Sequence, residues 1–134
     1  MIEVNQTHRT SFTFSQEQVV QFAQVTGDHN PLHLDAAYAA QTVFKQPVLH
    51  GFLGGSVFSR VFGTEFPGEG SVYLKQSMEF VRPMLVETEY EAVFTVKEVN
   101  RDKHQAVVAT EIFEKSRNKL VLRGEATVMH PEKL

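Results

Sequence analysis

Cysteine is absent from the 134-residue sequence, and so is tryptophan. Without cysteine the protein has no thiol nucleophile, no disulfide and no cysteine-ligated zinc, and its composition suits a reducing compartment. Long apolar runs are also missing: the longest, Val48–Phe62, is interrupted by four polar residues, whereas a membrane-spanning helix needs about 20 predominantly apolar residues. The N-terminal stretch "MIEVNQTHRT" lacks the apolar segment of a signal peptide. We therefore expect a soluble, cytoplasmic protein outside the membrane.

Basic charge is scarce as well, with 13 Lys and Arg against 16 Asp and Glu and a formal net charge of −3 at pH 7. Nucleic-acid-binding domains usually carry a basic stripe, so we expect no nucleic-acid partner. A phosphate-bearing small molecule needs only a few local Lys or Arg and stays open. What the sequence does contain is an ordinary globular share of apolar residues, 42%. Its length fits a single domain over residues 1–134.

The first third of the chain carries clear signals for where helices begin and end. Residues 2–14 alternate loosely and predict a strand. Ser15 followed by Gln18 forms a capping-box pattern that opens a helix to about residue 25. Gly27 is placed to end that helix, and Asp35 to cap a short second one before "AAYAA".

The remaining chain changes from a helical to a two-residue period. Val48–Phe62 is apolar on nearly all sides, which predicts a buried helix. Four strands are predicted after it, at "SVYLKQSMEFV", "ETEYEAVFTVKEV", "QAVVATEIFE" and "KLVLRGEATVM", with "NRDKH" and "KSRN" as hairpin turns. An antiparallel sheet wrapped around one long buried helix, an α+β hot-dog fold, buries these segments most economically. Because one helix leaves part of such a sheet and its edges open, we expect a homodimer.

The segment "GDHNPLHLD" places two Asp, two His and one Asn within nine residues. A metal site is one interpretation, but Pro31 breaks the helix that would put His29 and His33 on one face. The motif "HExxH" is absent, and a third ligand such as Asp28 or His50 would be required. We therefore expect no metal. A serine nucleophile is also disfavoured, because no "GxSxG" motif is present.

Acid–base chemistry suits these residue types better. Asp28 and His33 lie on a bent loop where a carboxylate and an imidazole can converge on one water or one C–H group, and Asn30 can orient either partner. Gly51, in the first turn of the buried helix, leaves a free N–H with the positive end of the helix dipole behind it. Such an N–H can stabilise a developing oxyanion. Each residue also has a plain structural interpretation: loop bonding for Asp28, partial burial for His33, and helix packing for Gly51.

The same residues resemble a known family. "GDHNPLHLD" resembles the D-x-N-P-x-H segment of the MaoC-like (R)-specific enoyl-CoA hydratases, and "PVLHGFLGGSVFS" and "GSVYLKQSMEFVRPM" resemble that family's helix start and following strand. The likeness extends over residues 10–130, in the short single-domain form of the family. It implies that Asp28 and His33 are the catalytic pair, that Asn30 supports them, and that the Gly51 N–H polarises the thioester carbonyl.

The resemblance also implies an activity. A hydro-lyase of this family adds water to a trans-2-enoyl-CoA to give the (R)-3-hydroxyacyl-CoA, or runs the reverse dehydration, as a homodimer without metal or other cofactor. Ser59 and Phe62 fall where family members line the acyl pocket, and Val128 is a further candidate. Phe62 occupies a place where smaller aliphatic residues also occur, which implies a shorter acyl chain.

Three alternatives remain open. A thioesterase on the same fold usually carries its acid on the long helix, and Val48–Phe62 contains no Asp or Glu. A dehydratase acting on acyl carrier protein would need a basic rim for that acidic partner. The candidates for such a rim, which could equally bind CoA phosphates or be solvated, are Lys75, Arg82, Arg117 and Lys119. The third alternative is a non-catalytic domain that binds an acyl group.

Overall fold

All 134 residues, Met1–Leu134, are described by a computed structural model. Six antiparallel strands form one sheet in the order β1-β4-β5-β6-β2, and β3 pairs with β6. The strands are β1 (Thr7–Phe12), β2 (Val72–Gln76), β3 (Glu79–Phe80), β4 (Tyr90–Asn100), β5 (Gln105–Glu114) and β6 (Lys119–Met129). The helices are α1 (Gln16–Thr26), α2 (Pro31–Leu34), α3 (Ala36–Ala40) and α4 (Gly51–Thr64), all between β1 and β2.

The predicted start and end of α1 and the predicted start of α3 are confirmed by their capping contacts, whereas the short helix α2 between them was not predicted. The Ser15 hydroxyl accepts the Gln18 N–H at 3.2 Å, and the Gln18 side chain accepts the Ser15 N–H at 2.9 Å. Gly27 ends α1 in the left-handed conformation, with φ 79°, which glycine adopts without steric cost. The Asp35 carboxylate accepts the Tyr38 N–H at 3.0 Å and so caps α3.

Helix α4 supplies one side of the hydrophobic core. Its buried apolar face packs with the inward side chains of β4, β5 and β6 in one cluster. The inward residues of β5 alternate strictly with more exposed ones, as the two-residue period predicts. Burial of each Val, Leu, Ile or Phe side chain in such a cluster stabilises the fold by about 1.5–3 kcal/mol. The arrangement of one apolar helix against an antiparallel sheet confirms the predicted hot-dog fold.

The long helix begins later than predicted, at Gly51 instead of Val48. The preceding residues stay extended because distant backbone groups hold them. The Val48 N–H donates to the carbonyl of Leu32 at 3.3 Å, and the Leu49 N–H donates to the carbonyl of Met84 at 2.8 Å. These two bonds fix the approach to α4 and leave Gly51 as its first residue.

The segment predicted as a single strand around residues 71–81 is divided into β2 and β3. A bulge at Leu74 shifts the register of β2 against β6, and the chain then leaves the ladder at Ser77, whose N–H donates to the carbonyl of Glu125 at 2.9 Å. Gly124 permits this crossing, because a β-carbon there would lie 1.7 Å from the Ser77 carbonyl oxygen. The apolar side chains that alternate along this segment are therefore largely exposed.

No helix of the protein combines the length and the apolarity that crossing a membrane requires.

Candidate active site

The loop between α1 and α2 holds the polar segment in a fixed local geometry. The Asp28 N–H donates to the Thr26 hydroxyl at 3.2 Å, and the Asn30 N–H donates to the Asp28 carboxylate at 3.4 Å. The Asn30 side chain caps α2 by accepting the Leu32 N–H at 3.0 Å. Pro31, at the first position of α2, needs no hydrogen-bond partner for its nitrogen. The exposed Asp28 carboxylate is thus anchored through its own backbone and that of Asn30.

His33 lies on α2 with one ring nitrogen committed to the backbone. Its Nδ1 is 2.8 Å from the carbonyl oxygen of Val48. Because a carbonyl only accepts, Nδ1 carries the proton, and Nε2 of the neutral ring holds a lone pair. Burial lowers the pKa of His33 below 6.5. The hydrogen bond to the Val48 carbonyl opposes that change, the nearby His50 adds to it, and Asp28 opposes it.

His50 completes a cluster that the sequence analysis considered only as a source of metal ligands. Its side chain is buried, its Nε2–H donates to the carbonyl of Asp28 at 3.0 Å, and its ring lies 4.0 Å from the ring of His33. The His50 Nδ1 is the only buried side-chain nitrogen or oxygen without a hydrogen-bond partner. A histidine inside the otherwise apolar run before α4 is the sequence signal that predicts a buried imidazole at this point.

Three side chains of the cluster could bind a cation together. One ligand atom each from Asp28, His33 and His50 lies within 4.8 Å of the others. A tetrahedral zinc ion with bonds of about 2.1 Å needs ligand atoms about 3.4 Å apart. With His33 Nδ1 and His50 Nε2 bound to carbonyls, only the other nitrogen of each ring remains for a cation. The ligand atoms of the cluster would therefore have to move closer together to bind a zinc ion.

The first turn of α4 offers an unused donor. Gly51 is the first residue of the helix, and its N–H donates to no group of the protein. The helix dipole places partial positive charge at this end. This is the geometry that the sequence analysis expected of Gly51.

A pocket of about 650 Å³ runs along α4 from the Asp28 carboxylate. One wall is a stripe of the helix, and the other is formed mainly by β2 and the chain that follows it. The lining residues from α4 are Phe52, Gly55, Ser56 and Ser59, and those from the opposite wall are Tyr73, Leu74, Lys75, Gln76 and Met78. The pocket thus brings together two of the predicted site residues, Asp28 and Ser59.

Phe62 and Val128 lie outside this lining. Both are buried in the core. The ring of Phe62 packs edge-on against Tyr73 with centroids 5.2 Å apart, and Val128 is the register partner of Tyr73 on β6.

A second pocket, of about 470 Å³, adjoins the first at Phe52, which lines both. Gly51 belongs to this second pocket, together with Phe80 and Arg82. Asp28 therefore lines one pocket and Gly51 the other, and the two pockets share Phe52.

Comparison with known proteins identifies the family of the chain. A family model described as "MaoC like domain" matches residues 1–117. The chain is 42% identical, over 97% of its length and 96% of the relative's, to the "(R)-specific enoyl-CoA hydratase" of Aeromonas caviae. It is 31% identical, over 98% of its length and 79% of the relative's, to the mitochondrial "3-hydroxyacyl-[acyl-carrier-protein] dehydratase" of Arabidopsis thaliana.

A solved structure of the (R)-hydratase from A. caviae superimposes with a TM-score of 0.92 at 42% identity, covering 97% of this chain and 98% of that one. The similarity confirms both the hot-dog fold and the resemblance drawn from "GDHNPLHLD". The chain belongs to the family of MaoC-like domains.

Proposed function

We propose that the protein is a hydro-lyase that adds water to trans-2-enoyl-CoA to give (R)-3-hydroxyacyl-CoA, and that it catalyses the reverse dehydration. The carrying observation is that a carboxylate oxygen of Asp28, a residue that lines the pocket, lies within 4.8 Å of a ring nitrogen of His33. The unused Gly51 N–H at the start of α4 supplies the third group that the reaction needs. The 42% identity to an (R)-specific enoyl-CoA hydratase supports the same activity.

In the proposed reaction, Asp28 and His33 bind the water and remove one of its protons as the oxygen attacks C3 of the substrate. The same pair returns a proton to C2, so that one water molecule is added in total. The tautomer set by Val48 leaves His33 Nε2 able to accept, and the two side chains act as one coupled unit. Asn30 acts through its backbone, which donates to the Asp28 carboxylate.

Negative charge develops on the thioester oxygen during the attack and is stabilised by the Gly51 N–H. The donor is preorganised because the helix already orients it and no protein group competes for it. The acyl tail occupies the pocket along α4, with Ser59 in its wall, and the thioester crosses at Phe52 towards Gly51. No cofactor enters this mechanism.

CoA is the proposed carrier of the acyl group, and acyl carrier protein is the second candidate because one relative is named as a dehydratase of such substrates. Lys75 lines the first pocket and Arg82 the second, and we assign both to contact with carrier phosphates, although Arg82 also donates to the Leu120 carbonyl at 2.6 Å. Arg117 is engaged with Glu114 at 2.7 Å instead. A thioesterase is disfavoured because α4 carries no acidic residue.

A homodimer is part of the proposal. Strand β2 lies at a free edge of the sheet and carries exposed apolar side chains, as do β3 and the residue after it. Among these exposed side chains, Val72 on β2 lies outside both pockets. An unpaired edge of this kind is suited to a second copy across a two-fold axis. We further propose a cytoplasmic location, which a cysteine-free chain suits.

The test uses crotonyl-CoA and follows the absorbance of the enoyl thioester, with a free-thiol assay on the same sample. Loss of the enoyl absorbance without release of thiol, and an (R)-configured product, is the expected result. Free thiol would identify a thioesterase. Activity confined to a crotonyl-carrier protein would identify the second candidate, and binding without turnover would identify an acyl-binding domain.

A further inference from the structure

Tyr73 lines the pocket, yet the proposed mechanism gives it no part. Paired residues on neighbouring antiparallel strands share a face of the sheet, so Tyr73 lies beside Val128 on the side that faces α4. Its ring meets Phe62 edge-on at 5.2 Å between centroids. The Tyr73 ring, which lines the pocket, therefore packs against the buried Phe62 side chain.

The Tyr73 hydroxyl is held by a chain of hydrogen bonds. It donates to the Gln76 side-chain oxygen, and the Gln76 Nε2 donates to the Thr110 hydroxyl at 2.9 Å and to the Ser77 carbonyl at 2.7 Å. Thr110 is completely buried in β5. Partial burial raises the pKa of the Tyr73 hydroxyl to about 12. These hydrogen bonds hold the Tyr73 hydroxyl, and the contact with Phe62 holds its ring.

The stripe of α4 side chains that lines the pocket ends next to Tyr73. Phe52, Ser56 and Ser59 follow one another at helical spacing on the pocket wall. At 1.5 Å per residue, the distance from Phe52 to Ser59 is about 10 Å along the axis. Phe62 comes next on the same side and is already covered by the Tyr73 ring. An acyl chain that starts near Asp28 and follows the stripe meets Tyr73 at its far end.

We propose that Tyr73 limits the length of the acyl chain and that Phe62, which packs against it, supports its ring. This inference rests on the proposed hydratase function and names the residue that selects among its substrates. Short enoyl chains fit in the pocket between Asp28 and the Tyr73 ring, and longer chains need the space that the ring occupies.

The test compares kcat/KM for trans-2-enoyl-CoA esters of four, six and eight carbons in the wild type, Tyr73→Ala and Tyr73→Phe. Tyr73→Ala is expected to raise the ratio of eight-carbon to four-carbon activity by about tenfold or more, in line with the worth of a few methylenes in an apolar pocket. Tyr73→Phe is the matched control, because it keeps the ring and loses only the hydroxyl. It should leave the ratio within about threefold of the wild type, because a lost hydroxyl contact changes no pocket volume.

A folded Tyr73→Ala protein whose ratio matches the wild type would overturn the inference, as would a Tyr73→Phe protein that shifts as far as Tyr73→Ala. If Phe62→Ala moved the ratio while Tyr73→Ala left it unchanged, the limit would lie at Phe62. Tyr73→Leu, checked by circular dichroism, replaces the alanine variant if that protein does not fold. Absence of hydration in the wild type would refute the proposed function itself, whereas active variants with an unchanged ratio would refute only the role of Tyr73.

Discussion

His33 is the residue whose protonation decides whether the site can take a proton from water. With Nδ1 bound to the Val48 carbonyl, only Nε2 is free to accept, and it can do so only while the ring is neutral. Burial is the main cause that lowers the pKa of His33 below 6.5. At pH 7 the ring is thus predominantly in the accepting state that the mechanism requires.

An NMR titration of the His33 ring protons, assigned by comparison with His33→Gln, should give a pKa below 6.5. The unfolded chain binds the proton more readily than the folded one, so protonation of His33 lowers the free energy of unfolding. The contribution of His33 to the free energy of unfolding is therefore fully present above pH 6.5 and is lost as the pH falls through the folded-state pKa. A pKa of 6.5 or higher would contradict this description of the site.

For individual residues, the sequence pointed to side chains with acid–base chemistry, but it did not predict which of them are in contact. Asp28 and His33 stand out because "GDHNPLHLD" concentrates polar groups between apolar segments. The contact between the His33 and His50 rings joins residues far apart in the chain, and no local pattern encodes it. The position of Phe62 behind Tyr73 depends on the same kind of long-range packing. Whether Phe62 or Val128 touches substrate stays a prediction.

Helix α4 is the element on which the oxyanion argument depends. Its start is set by the bonds that keep Val48 and Leu49 extended, which leaves Gly51 as the first helical residue with a free N–H. His50, just before it, has φ −57° and ψ 133°, a conformation that residues preceding proline favour. Proline is itself well suited to the first position of a helix. The N–H of Gly51 can therefore be removed with little change to the backbone.

Gly51→Pro is expected to lower kcat for hydration by about 10²–10³, the usual cost of losing one oxyanion donor. Gly51→Ala is the matched control, since it keeps the N–H but places a β-carbon in the same position. That β-carbon would lie 2.5 Å from Cε1 of Phe80, so the Phe80 ring must shift to admit it. The comparison of the two variants by steady-state kinetics isolates the N–H from the added bulk. Equal rates for the two proteins would show that Gly51 acts only through packing.

Among the elements, the prediction succeeded where local chemistry decides the boundary and failed where tertiary contacts do. The capping box at Ser15 and the turn at Gly27 need only nearby residues, and β5 and β6 follow their period closely. The break between β2 and β3 depends instead on Gly124, a residue of another strand, which admits the Ser77 carbonyl. The sequence pattern within residues 71–81 cannot predict that contact, because the contact involves a residue of another strand.

On the scale of the whole molecule, the apolar edge formed by β2 and β3 is the feature that a single chain leaves exposed. Light scattering after size exclusion should give twice the 15.2 kDa mass of the chain. Val72→Lys places a charge on the edge strand and should weaken the dimer by about tenfold or more, since burying an unpaired charge costs several kcal/mol. Val25→Lys, the same change at an exposed site on α1, should not. A monomeric wild type, or equal effects of both changes, would contradict the proposed interface.

The central claim is that Asp28 works with His33 as the acid–base pair of an enoyl-thioester hydratase, and it is tested most directly by the initial rate of crotonyl-CoA hydration in wild type and Asp28→Asn. Asparagine keeps the size of the side chain, and the backbone bonds of Asp28 to Thr26 and His50 do not involve its carboxylate. We predict a loss of about 10²–10⁴ in rate, the range for a positioned acid or base, with an unchanged circular dichroism spectrum. A folded Asp28→Asn protein that hydrates crotonyl-CoA at the wild-type rate would contradict the claim.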